Sequence, residues 1–539
     1  MTTMHDIQGG EPADTATSPS APRLGYWSLY FVLKLVLYGM GVLQLRPLEN
    51  LALIVFLAYP LKSRWLSGLR NLAGVVGAVW LIHAESWLPD WPVLWSSLML
   101  MLDFELEYLL ELAARLFTPE LVAALLFTVL GYLIVDHYLR MGALVTLAMV
   151  YLALAGPERK VPVPAVAGPS PETAVARGSV AAPGLDGELE RFYREQATKE
   201  VHFSAPLPEH PPFDILFLHI CSLSWDDLRH VGAEGLLPAF DVLFQRFNTA
   251  TSYSGPAAIR LLRAGCGQSR HQSLYEPLPQ ACSLFDQLES MGYRKQLAMN
   301  HDGHFDDFLQ LLSRNGMDAP PQPLGDVPVA LRAFDGSPIH DDLAVLSAWW
   351  SKRQAREETR MALYYNTLTL HDGNRFVDNR KSRNSLDGYG QRLRALMNDL
   401  QAFFRQLEQS ERRVLVVMVP EHGAALKGST LQLQGMREIP TPDITLVPAG
   451  IRLFGPGLTA PRQPVVVPQT VSYLALAEYV AGLLSRNPFL DGEYRPQHLA
   501  ANLSEVRLVS ETSTAVVMEA EQRHWLRMRD GDEWLPLEL

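Results

Sequence analysis

Apolar residues crowd into the first part of this chain, and that segregation limits the fold more than any single motif does. Apolar runs fall near 24–44, 47–61, 71–89, 119–138 and 141–156, whereas charge is denser afterwards. Each run approaches the roughly 20 residues that cross a bilayer as a helix. The pattern predicts a helical transmembrane bundle over 24–156 with about five spans, of which the second and fifth are short. Lys34 and Glu85 lie in or near these runs and must snorkel or face a bundle interior. Lys62, Arg64 and Arg70 flank the connection between the second and third runs, and Arg140 lies between the fourth and fifth. The positive-inside rule puts both connections in the cytoplasm, with Arg46 and Arg115 as exceptions to the bias. Five spans then leave the N-terminus inside and everything after residue 156 outside.

Two flanking features complete the first part. Residues 1–23 are rich in Ser, Thr, Pro, Ala and Gly and read as a disordered cytoplasmic tail. They do not read as a cleaved signal, because the apolar stretch begins late and runs long. Between the third and fourth runs, Asp103, Glu107 and Glu111 recur every four residues on an otherwise apolar segment that Glu105 interrupts. A further span would bury too many carboxylates, so the expectation is an amphipathic helix lying in the membrane interface.

Residues 157–187 are rich in Pro, Ala, Val and Gly and read as a semi-extended linker. A short charged helix is expected over Glu188–Lys199. From there to 539 the pattern alternates between strand-length apolar runs and helical segments. The expected strands are Asp214–Ile220, Gln296–Met299, Met361–Asn366, Val414–Val419 and Ile451–Phe454. Helices are expected at Ala257–Ala264, Cys282–Met291, His340–Ser351 and Gly388–Ser410. Such alternation means an α/β domain with a mostly parallel sheet covered by helices on both faces. Chemistry in such sheets gathers at the carboxyl ends of the strands. Residues 505–539 read as a small antiparallel β appendage.

The formal net charge is −12, which argues against a nucleic-acid partner, because phosphate backbones call for basic surfaces. There are three cysteines, Cys221, Cys266 and Cys282. An odd count in an exported domain suggests one disulfide and one thiol with another task. Cys266 and Cys282 are close enough in sequence for a bridge that stabilises by about 3 kcal/mol in the chain-entropy picture. In a reducing compartment all three would simply be core thiols.

Four segments carry candidate chemistry. The first expected strand ends on Cys221, and the fourth runs into Pro420-Glu421-His422-Gly423. Thiolate, carboxylate and imidazole are ligand types that zinc accepts, and the glycine would let the chain turn sharply beside a metal. Taken singly, Cys221 is equally a small buried hydrophobe and Glu421-His422 an exposed turn. The third segment, T-S-Y-S-G-P-A-A from Thr251, opens a helix, with Pro256 in its first turn. Ser254 is expected at or near the N-cap, either as a plain cap or as a nucleophile facing a phosphate at the helix N-terminus. Ser252 and Thr251 are neighbouring hydroxyls. The fourth, L-T-L-H-D-G-N, offers His371 as a proton donor to a leaving oxygen, and Arg437 could pair with phosphate oxygens. Each of these two could equally be a structural loop residue. Trp225 and the Trp349-Trp350 pair could stack on sugar rings or pack in a core.

In combination these pieces resemble the alkaline-phosphatase-like superfamily, whose members place a metal ligand at one strand end, a helix-capping nucleophile, and a late acidic-His-Gly motif. Glu421 and Cys221 stand where Asp is usual. That double departure, with H-I-C-S-L-S-W-D-D, A-T-S-Y-S-G-P-A-A-I-R-L-L-R, F-D-G-S-P, N-T-L-T-L-H-D-G-N and V-V-M-V-P-E-H-G-A-A-L-K-G, is similar to the cellulose phosphoethanolamine transferases over about residues 213–520. The resemblance implies Ser254 as the nucleophile and Cys221, Glu421 and His422 as ligands of one zinc, with Ser254 near or on the metal. It implies His371, Arg437 and Tyr253 as substrate or acid/base residues, and a Cys266–Cys282 disulfide. It further implies phosphatidylethanolamine as donor and a glucose 6-hydroxyl of cellulose as acceptor. The implied partners are subunits of the bacterial cellulose synthase complex, and the implied setting is the inner membrane with the catalytic domain in the periplasm. Alternatives within the same reading are transfer to lipid A or another glycan, a sulfatase- or phosphatase-like hydrolase, and a scaffold that has lost catalysis.

Overall fold

The computed structural model describes residues 24–155 and 183–538, apart from 41–42, 62, 87–90, 92–94, 96–97, 100, 103, 117–118, 205–208, 357–359, 378–383, 430, 459–462, 491, 530 and 532. The expected tail, most of the linker and Asp103 lie outside the described residues. The chain divides into two compact units, one of residues 1–100 with 116–171 and one of residues 101–115 with 172–539.

The first unit is helical, with helices Trp27–Gly39, Pro47–Ala58, Arg64–Glu85, Pro119–Val135 and Met141–Ala155. Among the described residues only Arg64–Glu85, at 22 residues, is long and apolar enough to cross a membrane by itself; the others are apolar but shorter. Lys34 and Glu85 do face the interior. They are 2% and 1% exposed and pair with each other, and Lys34 Nζ also donates to Asn50 Oδ1 at 2.6 Å.

The second unit is built on a seven-stranded sheet. Its strands are β1 (Asp214–Ile220), β2 (Val242–Asn248), β3 (Arg294–Met299), β6 (Met361–Thr367), β8 (Val414–Pro420), β9 (Leu446–Phe454) and β10 (Val465–Val471). A three-stranded sheet joins β4 (Val329–Arg332), β5 (Pro338–His340) and β7 (Arg375–Phe376). A four-stranded one joins β11 (Val509–Glu511), β12 (Ala515–Ala520), β13 (Arg523–Met528) and β14 (Leu535–Leu537). The main order is β10-β2-β9-β8-β1-β6-β3. β9 is antiparallel to both neighbours, and all other pairs are parallel.

β1 and β8 are buried along their whole length, as parallel strands covered on both faces must be. Side chains alternate between two cores. Ile215 and Phe217 enter one with the helices Ser254–Leu262 and Tyr473–Ser485, while Leu216, Leu218 and Ile220 enter the other with Asp342–Gln354 and Ser385–Glu408. Trp349 and Trp350 belong to that second core, each 3% exposed, which removes them as sugar-stacking surfaces. The helix expected at Glu188–Lys199 runs Pro183–Gln196, and its Leu189 and Phe192 pack on Val516 and Met518 of the four-stranded C-terminal sheet.

Candidate active site

β1 and β8 are adjacent and in register, Ile220 opposite Pro420, so the residues that follow them emerge side by side. Cys221, Glu421 and His422 are each fully buried there, and one ligand atom from each lies within 4.8 Å of the others. Ser254 joins them, its hydroxyl 3.5 Å from Cys221 Sγ and 3.3 Å from His422 Nε2.

Second contacts fix each of these groups. Asn366, at the end of β6, donates from Nδ2 to Glu421 Oε1 at 2.6 Å, and its Oδ1 lies 2.9 Å from His301 Nε2. His219 Nδ1 lies 3.4 Å from the same Glu421 oxygen and 2.8 Å from the Tyr364 hydroxyl. Glu421 Oε2 is buried without a hydrogen-bond partner among the described residues. His422 Nδ1 lies 2.9 Å from the Gly423 carbonyl, so a proton there leaves the Nε2 lone pair facing Ser254. Burial, aided by the Arg437 charge, pushes the His422 pKa well below its ordinary value and keeps the ring neutral.

These residues fit a zinc ion. Burial, with the Glu421 charge beside it, pushes the Cys221 thiol up to about 12. A thiolate there therefore calls for a compensating cation, and a bound metal supplies one. Sulfur, neutral imidazole and a carboxylate oxygen form a donor set of the kind zinc takes, and Cys221, Glu421 and His422 would hold such an ion beside Ser254.

Ser254 is the first residue of the helix Ser254–Leu262, and the N-cap position belongs to Tyr253. No side chain caps this helix, so the Ser254 hydroxyl is not occupied as a cap, contrary to one expectation. The neighbouring hydroxyls are placed otherwise. Ser252 Oγ donates to the Arg437 carbonyl at 2.5 Å, and Thr251 is fully buried. The strand and loop that lead to Ser254 are fastened by the C-terminal sheet: Asn248 Nδ2 donates to Val509 O at 3.0 Å, and the Glu511 amide donates to Ala250 O at 3.0 Å.

The remaining candidates stand close by. Arg437 Nη1 lies 3.1 Å from Ser222 Oγ and 3.2 Å from His422 Nδ1, with its guanidinium 5.8 Å from the Tyr253 ring centroid. The Tyr253 hydroxyl is engaged, donating to Glu438 Oε1 at 2.7 Å. His371 lies near enough to Arg437 to feel its charge, and its Nδ1 contacts the Asp372 carbonyl at 2.7 Å. Burial and then Arg437 lower the His371 pKa to about 4. A lowered pKa favours the neutral ring, which can take a proton from an attacking hydroxyl.

Gly423 does not serve a sharp turn, since its φ is not positive. A Cβ there would lie 2.6 Å from Ser224 Oγ, so close approach of the Ser224–Asp227 capping box requires glycine. Sequence reasoning passed over Asn366, His219 and Ser222. Asn366 sits at a strand's carboxyl end, where the rule for parallel sheets would have found it. Ser222 has φ +61, an outlier for a non-glycine residue. Cys266 and Cys282 are disulfide-bonded, and Cys221 is free.

Comparison with known proteins covers the chain in two parts. Residues 27–154 match the family described as the cellulose biosynthesis protein BcsG N-terminal domain, and residues 172–534 match the corresponding C-terminal domain. Cellulose biosynthesis protein BcsG of Salmonella typhimurium is 36% identical over 543 residues, covering 95% of this chain and 96% of that protein. BcsG of Escherichia coli is 36% identical over 544 residues with the same coverage. A crystal structure of a protein in the alkaline phosphatase superfamily from Vibrio parahaemolyticus aligns with 66% of this chain and 91% of its own, at 13% identity and a TM-score of 0.44, a likeness too weak to build on. With both halves matched and full-length relatives at this identity, the chain belongs to the BcsG family of cellulose biosynthesis proteins.

Proposed function

We propose that the protein transfers phosphoethanolamine from phosphatidylethanolamine to glucose 6-hydroxyls of cellulose, through a covalent phosphoethanolamine ester on Ser254. The observation that carries this reading is the Ser254 hydroxyl, uncommitted as a helix cap and within 3.5 Å of both Cys221 Sγ and His422 Nε2. The relatives' name, cellulose biosynthesis protein, supports the acceptor.

Two bulky substrates must use one site in turn, which favours a relay over direct transfer. Ser254 Oγ forms a bond to phosphorus as the bond to the diacylglycerol oxygen breaks. In the second half the sugar oxygen bonds to phosphorus and the Ser254 ester breaks, restoring the hydroxyl. In each half neutral His371 takes the proton of the attacking hydroxyl, that of Ser254 and then that of the sugar. It gives that proton to the departing oxygen, that of diacylglycerol and then that of Ser254. Arg437, oriented by Tyr253 on Glu438, pairs with phosphoryl oxygens. The N–H groups that open the Ser254 helix face the phosphoryl group. A zinc ion held by Cys221, Glu421 and His422 would supply charge stabilisation and a lowered hydroxyl pKa. The N-terminal unit lies in the bacterial inner membrane as a multi-pass bundle, the α/β domain is periplasmic, and cellulose synthase subunits are its partners.

The test is full-length protein in detergent, incubated with phosphatidylethanolamine and no acceptor. One phosphoethanolamine mass is expected on the peptide containing Ser254, and none in Ser254→Ala. An adduct that maps to Ser252, or undiminished cellulose modification by Ser254→Ala, would overturn the relay.

A further inference from the structure

The segment around the helix Leu106–Leu116 comes from between apolar helices in sequence, yet residues 101–115 pack within the α/β unit. Phe104 and Tyr108 set their rings 4.9 and 5.9 Å from that of Phe334, and Phe334 lies 5.2 Å from the His371 ring. The polar contacts lead to the same loop. Arg115 holds Asp372 with both prongs, Nη1 to Oδ2 at 2.6 Å and Nη2 to Oδ1 at 3.0 Å, and Tyr108 adds a hydroxyl contact at 3.3 Å. Glu111 accepts from the Ser385 hydroxyl at 2.8 Å and pairs with Arg375 at 2.7 Å.

Arg115 also touches a second loop. A Cβ on Gly435, whose φ is +79, would lie 2.8 Å from Arg115 Nη1 and 3.2 Å from Asp372 Oδ2. One guanidinium is thus set between Asp372, the neighbour of His371, and Gly435, two residues before Arg437. The side chains of Arg115 and Asp372 are 15% and 12% exposed. Burying such a pair costs desolvation that its attraction barely offsets, so net stability is a poor account of it. What a two-pronged pair supplies is geometry.

Resting on the transferase reading above, we infer that Arg115 is a positioning residue: it locks the His371 and Arg437 loops in their working arrangement. The helix that carries it is then a working part of the transferase domain, although it is encoded among the apolar helices.

The test compares full-length protein in detergent with its Arg115→Ala, Arg115→Lys and Arg115→Ala/Asp372→Ala variants, using phosphatidylethanolamine and a cello-oligosaccharide. Arg115→Ala should lower kcat by about tenfold to a hundredfold, the scale of a small misplacement of reacting groups. KM for the donor and metal content should stay at wild-type values, and the double variant, which leaves no buried charge unpaired, should keep a near wild-type melting temperature. Arg115→Lys should recover part of kcat, because a point charge replaces one prong of a fork. The double variant should be no slower than Arg115→Ala, since both lose one interaction. Wild-type kcat in Arg115→Ala overturns the inference, as does a loss of kcat that the double variant shows only together with lost metal or unfolding. Ser254→Ala, run in parallel, separates the two claims: transfer by that variant sinks the site itself, whereas Arg115 bears on positioning alone.

Discussion

Asn366 donates to Oε1 of Glu421 at 2.6 Å, so one oxygen of that buried carboxylate is committed while the other, Oε2, has no hydrogen-bond partner among the described residues. The pair orients a ligand before any ion arrives. His301 in turn contacts Asn366 from the end of β3, which makes three neighbouring strands contribute to the aim of one oxygen.

Asn366→Ala should therefore weaken zinc binding by about tenfold to a hundredfold, the usual cost of losing a partner that orients a ligand. Competition against a chromogenic chelator measures it. Unchanged affinity would show that Glu421 needs no such support.

Full-length protein should carry about one zinc per chain, on the pattern of a three-ligand site with an open fourth position. Cys221→Ala and His422→Ala should lose it, while Ser254→Ala should keep most of it and melt within a degree or two of wild type, since no helix cap is removed. Elemental analysis reads the metal, and full occupancy in Cys221→Ala contradicts that ligand.

Thiol labelling of denatured, chelator-treated protein should modify one cysteine per chain, Cys221, because Cys266 and Cys282 are bonded. Three labelled cysteines before any reductant is added would show a reduced domain.

His271 provides a pH test away from the metal ligands. It is 6% exposed, and burial, followed by the charges of Arg260 and Arg529, lowers its pKa to about 4. The unfolded chain titrates near 6.5, so between about 6.5 and 4 the unfolded state binds the extra proton. Stability from this residue is present above that window and lost as pH falls through it. Relative to His271→Leu, the wild-type melting temperature should drop on going from pH 7 to pH 4.5. A constant difference between the two would refute the linkage.

The strands that the sequence reveals best are β1, β6 and β8, because burial on both faces writes them as continuous apolar runs. β10 escapes because Pro468 interrupts it, and the structure tolerates that proline on an edge strand where the register slips between Val467 and Thr470. β2 has exposed and half-buried positions along its length and so lacks the continuous run. β9 is legible only in its last residues, because Pro448 and Gly450 break its apolar pattern. Gly450 is needed where the Phe240 ring would lie 2.5 Å from a Cβ. The ligands were legible because strand ends concentrate them. Arg115 was not, because its partner Asp372 is 257 residues distant and no local pattern joins them.

The C-terminal sheet ties the order of synthesis to the chemistry. Val509 and Glu511 supply backbone partners for Asn248 and Ala250, just ahead of Ser254, and Thr512 Oγ1 donates to Glu438 O beside Arg437. A nascent chain that has emerged only as far as residue 500 already holds every proposed ligand and the nucleophile, yet lacks the clamp on the loop that presents them. The proposed transfer activity should therefore wait until the final sheet has been delivered and folded, and a nonsense mutation that spares every proposed ligand should still abolish it.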